Sequence, residues 1–247
     1  MNENILKLKS EFNRISELGW IKSVNSNSFA GAGITFESLL NKPIESFEIP
    51  DYFGIEIKTK VSEKFGFINL FSAGPDGSYL FEIKRLLDLY GYPSRFDKSC
   101  KVLNVDVFGN KDRPVGYKFL FKLNVSKVDR KVFLSVFNRL NCSVDDQTFW
   151  SFELLEEKLI RKLSLLAFVT VIKKRVDDVN YYKYTDIKFY RLKSFDAFIN
   201  ALENGIVKVS FKIGIFKSGP KYGEINNHGT SFNIDKDHLS SIYDFII

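Results

Sequence analysis

The chain has the pattern of a mixed α/β protein, and three features of its 247 residues lead there. An amphipathic opening segment precedes a series of short strands. A later helix, from Ser151 to about Lys162, runs into the almost wholly apolar stretch Leu165–Ile172. Such a short continuous run suits a strand buried on both faces, so the order is helix, three strands, helix, strand. At 45% hydrophobic residues the chain can bury a sizeable core, as one large domain or as two lobes.

Up to Leu18, the residues Ile5, Leu6, Leu8, Phe12, Ile15 and Leu18 recur at spacings of three and four. This gives a helix with Lys7, Glu11 and Arg14 on its polar face, ended by Gly19. Asn25–Ser28 is loop-like, and Ile34–Leu40 forms a short helix stopped by Asn41 and Pro43, with Glu37 projecting from it. Strands are expected at about Glu45–Ile49, Gly54–Lys60 and Phe67–Ser72, joined by short turns as a meander. Leu80–Tyr90 has helical periodicity and ends at Gly91. Asp97–Gly116 looks irregular, and Tyr117–Val125 pairs with Lys131–Asn138 through Ser126–Arg130.

Ser151 caps a helix whose early Glu153, Glu156 and Glu157 and late Lys158, Arg161 and Lys162 suit the macrodipole. Ser194 caps another, through Leu202, that ends near Gly205. Val207, Val209, Phe211, Ile213 and Ile215 then alternate with Lys208, Ser210, Lys212 and Gly214, which predicts a strand with one core face and one small, polar, basic face. The segment Lys217–Thr230 is a flexible, lysine-flanked loop rich in hydrogen-bonding groups, suited to a DNA groove or to plain solvent. The expected division is residues 1–175 and 176–247.

Composition narrows the function classes. No run of about 18 apolar residues is present for a membrane span, and no signal-peptide pattern opens the chain, so the expected compartment is the cytoplasm. Cys100 and Cys142 lack metal-ligand spacing and are expected as free thiols, and two histidines argue against zinc. Gly31-Ala32-Gly33 is followed neither by a Walker lysine nor by the third glycine of a dinucleotide fingerprint. The net charge of +6 fits a polyanionic partner without requiring one.

The most informative segment is Pro50-Asp51-Tyr52-Phe53-Gly54-Ile55-Glu56-Ile57-Lys58. On a strand, Ile55 and Ile57 can enter a core while Glu56 and Lys58 emerge together on the other face, with Asp51 upstream. Two close carboxylates repel unless a cation joins them, and oxygen ligands with open water positions are what Mg2+ prefers. The lysine adds a point charge beside an attacking water or a phosphate. A decoy with the same residue types, Pro75-Asp76 with Glu82-Ile83-Lys84, falls on helical periodicity. Residues two apart on a helix diverge by about 200 degrees, so Glu82 and Lys84 cannot share a metal.

Several separated motifs occur together in order: Gly31-Ala32-Gly33-Ile34-Thr35-Phe36-Glu37-Ser38-Leu39-Leu40, Pro50-Asp51 with Glu56-Ile57-Lys58-Thr59, Leu70-Phe71-Ser72 and Trp150-Ser151-Phe152. Tyr181-Tyr182-Lys183-Tyr184, Glu203-Asn204-Gly205, Lys212-Ile213-Gly214, Ser218-Gly219 and His228-Gly229-Thr230-Ser231-Phe232 follow. With these the chain resembles the MvaI/BcnI-type restriction endonucleases almost end to end, most loosely between Pro75 and Asn141.

The resemblance implies a PD-(D/E)xK restriction-endonuclease-like core related to MutH, with a mixed central sheet flanked by helices and two lobes forming a DNA cleft, catalytic over 1–175 and DNA-recognising over 176–247. It implies a bacterial, cytoplasmic, monomeric type II enzyme that uses Mg2+ to hydrolyse double-stranded DNA at a CCNGG-like site, CCWGG among them. A cognate DNA methyltransferase is expected in the host but not as a stable partner. Asp51, Glu56, Lys58 and Glu37 would be catalytic, with the metal at Asp51, Glu56 and Ile57. DNA contacts would come from Lys60, Lys212, Lys217, Ser218, Lys221, His228, Thr230 and Asn233. Where the resemblance places arginines this chain has Lys212 and Asn233, and lysine does not replace arginine at a bidentate guanine contact. The alternatives are a MutH-like strand-nicking repair endonuclease and a catalytically silent DNA-binding module.

Overall fold

A computed structural model describes residues 2–25, 30–40, 50–61, 66–216 and 219–247. Its α-helices are α1 (Glu3–Glu17), α2 (Gly31–Ser38), α3 (Tyr79–Tyr90), α4 (Phe152–Leu163) and α5 (Phe195–Glu203). The strands are β1 (Ile21–Lys22), β2 (Glu56–Val61), β3 (Phe67–Ser72), β4 (Tyr92–Pro93) and β5 (Lys101–Val107). There follow β6 (Arg113–Val115), β7 (Phe119–Ser126), β8 (Lys131–Asn138), β9 (Ser143–Asp145) and β10 (Phe149–Ser151). The last are β11 (Leu165–Val176), β12 (Val179–Leu192), β13 (Val207–Ile215), β14 (Ile225–Asp235) and β15 (Tyr243–Phe245).

Two compact units divide the chain, and both are discontinuous in sequence. One comprises Met1–Ile68, Leu159–Lys193 and Ile242–Ile247, the other Asn69–Lys158 and Ser194–Ser241. A boundary at residues 175 and 176 would cut the β11–β12 hairpin near its tip, whereas that hairpin pairs continuously from Leu165↔Arg191 to Val176↔Val179. Asp177 and Asp178 close it with φ of 46° and 62°, the left-handed pair of a two-residue hairpin turn.

The first unit is built on the sheet β1-β12-β11-β2, with β15 on β12. Its β11–β2 pairing is parallel and the rest antiparallel, so the sheet is mixed, as expected. The Asn2 side chain caps α1 by accepting from Asn4 N at 2.9 Å, and Ile5, Leu8, Phe12 and Ile15 bury one stripe of the helix. That stripe joins Ala32, Phe36 and Leu40, then Ile55 and Ile57, and the inward residues of β11 and β12 in one core. Within it the rings of Phe36 and Tyr184 lie 5.0 Å apart.

The second unit carries the sheets β3-β14-β13-β5-β4 and β10-β8-β7-β6, with β9 on β8. Its aromatic centre stacks Phe71 on Phe232 at 4.9 Å and sets Trp150 edge-on to Phe232 at 5.7 Å. The Trp150 indole donates to Ala73 O at 3.1 Å, so its one polar atom is satisfied. Ser194 Oγ accepts from Ala197 N at 3.1 Å and caps α5, which ends at Gly205 with φ 70°. The decoy residues serve structure. Asp76 accepts from Ser151 N and Oγ, and Glu82 on α3 accepts from Arg85 and Thr148.

Four expectations change. The strands Gly54–Lys60 and Phe67–Ser72 form, but β2 pairs in parallel with β11 and β3 with β14, so they are not successive strands of a meander. The strand expected at Glu45–Ile49 lies outside the described residues, as does the loop expected at Asn25–Ser28 beyond its first residue. Asp97–Gly116 is not irregular: Leu103, Val105 and Val107 alternate with Asn104 and Asp106 in β5, which pairs with β13. The polar face of β13 is largely buried, because β5 supplies a carboxylate for it. Asp106 accepts from Lys208 Nζ and Ser210 Oγ, each at 2.6 Å, while only Lys212 stays exposed. Finally, β14 begins at Ile225, so His228, Gly229 and Thr230 are in a strand and not in the loop.

Two stability outcomes are expected. Phe232→Ala, at a wholly buried ring, should cost about 3–5 kcal/mol, and Ser194→Ala about 1 kcal/mol through loss of the cap. Urea denaturation of both variants against the parent chain measures them.

Candidate active site

The segment before β2 makes its own geometry. Tyr52 and Ile55 exchange backbone hydrogen bonds, each 2.9 Å, around Phe53 and Gly54, whose φ values are 42° and 87°. Two consecutive left-handed residues make a tight reversal, and glycine accommodates the second without a Cβ clash. The reversal turns Asp51 back along the strand, where its Oδ2 accepts from Ile57 N at 2.8 Å. Ile55 and Ile57 face the core at 0% and 4% exposure.

Glu56 and Lys58 share the opposite face, as strand periodicity predicts. That face is not open surface at Glu56, whose side chain is 1% exposed. Lys58 Nζ donates to Glu56 Oε1 at 2.5 Å, and Lys162 Nζ of α4 approaches the same oxygen at 3.4 Å. Glu56 Oε2 is buried and has no hydrogen-bond partner among the described residues. Burial, then the Asp51 charge, push the Glu56 carboxyl above its ordinary range against the opposing pull of Lys58 and Lys162. The Tyr243 hydroxyl, donating to Leu163 O at 3.3 Å, is also pushed up, first by burial and then by the Glu56 charge.

For Glu37, a Cβ on Gly33 would lie 3.6 Å from its Oε1 and 3.2 Å from Thr59 Oγ1, so both side chains flank Gly33. The charges acting on Glu56 are those of Lys58, Asp51 and Lys162.

The donor set fits a hard divalent cation. A buried carboxylate oxygen without a donor, beside a second carboxylate, is what such an ion satisfies. Among the described residues, no group of three or more His, Cys, Asp or Glu side chains could hold a metal. Asp51 and Glu56 are the carboxylates brought together here, and the Ile57 side chain offers no donor, so it could serve only through its main chain. Mg2+ characteristically takes one or two carboxylates and keeps several waters.

The residues expected at DNA are distributed over both units. Lys60 is half-buried on β2 with Nζ 3.5 Å from Phe67 O, in the unit that carries Asp51 and Glu56. Lys212 and Lys221 are exposed in the other unit, Lys221 with its ammonium 5.8 Å from the centre of the Phe216 ring. Thr230 and Asn233 depart from the expectation. Thr230 is 1% exposed with its hydroxyl buried, and the Asn233 amide donates inward to Ser210 Oγ, Ser231 O and Ser231 Oγ. Lys217 and Ser218 lie outside the described residues, as does the side chain of His228. Lys162 escaped the sequence reading as a site residue because it is remote in sequence, and its place near a helix C-terminus already explained a cation there.

A mixed sheet flanked by helices, with Glu56 and Lys58 on one strand and Asp51 just before it, defines the PD-(D/E)xK restriction-endonuclease fold. Residues 9–243 match the model of the MvaI/BcnI restriction endonuclease family, and the chain belongs to that family. It is similar to the solved structure of restriction endonuclease MvaI in complex with its cognate DNA substrate, with 28% identity and a TM-score of 0.88, covering 100% of this chain and 98% of that one. Against MvaI in the absence of DNA the identity is 26% and the TM-score 0.63, at the same coverage. No match is found among curated proteins.

The raised Glu56 carboxyl has a pH consequence. Without metal, the folded chain keeps this proton over a window above 4.5 in which the unfolded chain has lost it, so Glu56 lowers stability as pH rises through that window. Glu56→Gln should be more stable than the parent at pH 7 in EDTA, and the gap should close as pH falls below 4.5. Urea midpoints across pH 4–8 decide it, and a destabilised variant at pH 7 would contradict the sign.

Proposed function

We propose that the chain is a type II restriction endonuclease that hydrolyses double-stranded DNA with Mg2+ at a short CCNGG-like site, CCWGG among the candidates. The observation that carries this reading is the buried, unpartnered Glu56 Oε2 beside Asp51, with Lys58 at the other oxygen of the same carboxylate. A carboxylate so placed is costly to the fold, and sites of this kind are where function is sought.

Asp51 and Glu56 would hold the cation, with the main chain of Ile57 available beside them. When bound, the cation supplies Lewis-acid charge to the phosphate oxygens. Lys58 positions water for in-line attack on phosphorus and stabilises the anionic nucleophile. A P–O bond forms to the water oxygen, the P–O bond to one sugar oxygen breaks, the water's proton passes to solvent and the leaving sugar oxygen takes one up from solvent. Glu37, which with Thr59 of β2 flanks Gly33, is proposed as a further residue of the catalytic group. DNA is proposed to meet the exposed lysines, Lys212 and Lys221, together with Lys60. The unit holding Asp51 and Glu56 is proposed as catalytic and the other as recognising. Compartment and oligomeric state follow the same reading, a monomer in a bacterial cytoplasm whose DNA a cognate methyltransferase protects.

The test is incubation of purified protein with unmethylated plasmid and phage DNA, with Mg2+ or EDTA, followed by sequencing of product ends. Discrete Mg2+-dependent fragments sharing a short sequence are expected. Persistent open circles without linear product would instead favour a nicking enzyme. Asp51→Ala and Glu56→Ala should each slow cleavage by at least about 10²–10³-fold while retaining DNA binding by gel shift. Cleavage by Asp51→Ala at the parental rate would remove that residue from the site.

A further inference from the structure

Glu56 Oε1 has two ammonium groups. Lys58 comes from the same strand, whereas Lys162 arrives from the last turn of α4 and is 26% exposed at its side chain. Basic residues at a helix C-terminus are commonly solvated partners of the macrodipole, and Arg161 on the same turn is exposed. Lys162 instead lies against a carboxylate that is 1% exposed. The end of α4 is anchored nearby, since Leu163 O accepts from the buried Tyr243 hydroxyl. With both lysines on Oε1, Oε2 is left as the oxygen without a donor among the described residues.

We propose that the Lys162 ammonium, set beside Glu56 Oε1, offsets the site's negative charge, so that a divalent cation is retained firmly only once a DNA phosphate has arrived. The proposal rests on the nuclease reading above and deepens it. Lys58 and Lys162 are the cations that act on Glu56, beside the charge of Asp51. A divalent ion approaching carboxylates already opposed by two ammonium groups gains less attraction, and a phosphate restores it. Metal occupancy is thereby tied to substrate. A packing role for Lys162 predicts the opposite sign, because loosening Glu56 would weaken the metal site.

The experiment measures Mn2+ binding to the DNA-free protein by electron paramagnetic resonance of the unbound ion. Lys162→Met should bind Mn2+ at least about tenfold more tightly than the parent, from removal of one charge near the site. Lys162→Arg should behave as the parent, and Arg161→Met, which removes a charge from the same helix end, should leave the affinity unchanged. Adding Asp51→Ala to Lys162→Met should abolish the gain, which locates the ion. Lys162→Gln serves as a second neutral variant should the methionine one fail to fold. Unchanged or weaker Mn2+ binding in folded Lys162→Met or Lys162→Gln would overturn the proposal, as would an equal gain in Arg161→Met. Because no DNA is present, a parent chain that cuts no DNA would defeat the nuclease reading while leaving the Mn2+ comparison standing.

Discussion

A carboxylate almost removed from solvent is the constraint around which the first unit is arranged. Glu56 lies on a strand whose other face, through Ile55 and Ile57, is committed to the core, so it cannot rotate out to water without undoing that packing. Its charge must be met where it stands. Lys58 from the same strand and Lys162 from α4 both approach Oε1, and Asp51 is brought near by a reversal held by local backbone bonds and by Asn4 Nδ2 of α1, which donates to Phe53 O at 3.0 Å. The core therefore fixes the strand, the strand fixes the carboxylate, and the carboxylate keeps one oxygen without a partner among the described residues.

The second unit solves a similar problem to a different end. On β13 and its neighbours Lys208, Ser210, Ser231 and Asn233 are buried, and Asp106 joins them. Burial alone would raise the Asp106 carboxyl, but hydrogen bonds from Lys208 and Ser210 bring it below its ordinary value. Here Asp106, Lys208, Ser210, Ser231 and Asn233 satisfy one another, with Thr230 Oγ1 left over, whereas at Glu56 a carboxylate oxygen has no partner among the described residues. A closed network stiffens a sheet, and an open one invites a ligand.

The legibility of the elements followed the locality of their causes. The helices α1, α3 and α5 were readable because apolar spacing, caps and terminating glycines all lie within each segment. The reversal at Phe53-Gly54 was not legible, since Gly54 reads as the first residue of a strand, whereas the Glu82-Ile83-Lys84 decoy was separable because helical and strand periods differ. β5 was missed although Leu103, Val105 and Val107 alternate cleanly, since the surrounding polar residues masked a strand whose partner, β13, lies far along the chain. The basic face of β13 was seen and its exposure misjudged, because Asp106 arrives from that unseen strand.

By itself the sequence determined the local chemistry: which strand carries Glu56 and Lys58 on one face, where Asp51 stands upstream, and which family the ordered motifs resemble. These depend on residues within a few positions of one another, where chain geometry leaves few choices. Only the tertiary structure decided that β2 pairs in parallel with β11, that Glu56 is buried, that Lys162 reaches its carboxylate, and that Thr230 and Asn233 turn inward. Each of these is a meeting of segments distant in sequence, selected by the packing of whole faces, which no short stretch of residues specifies.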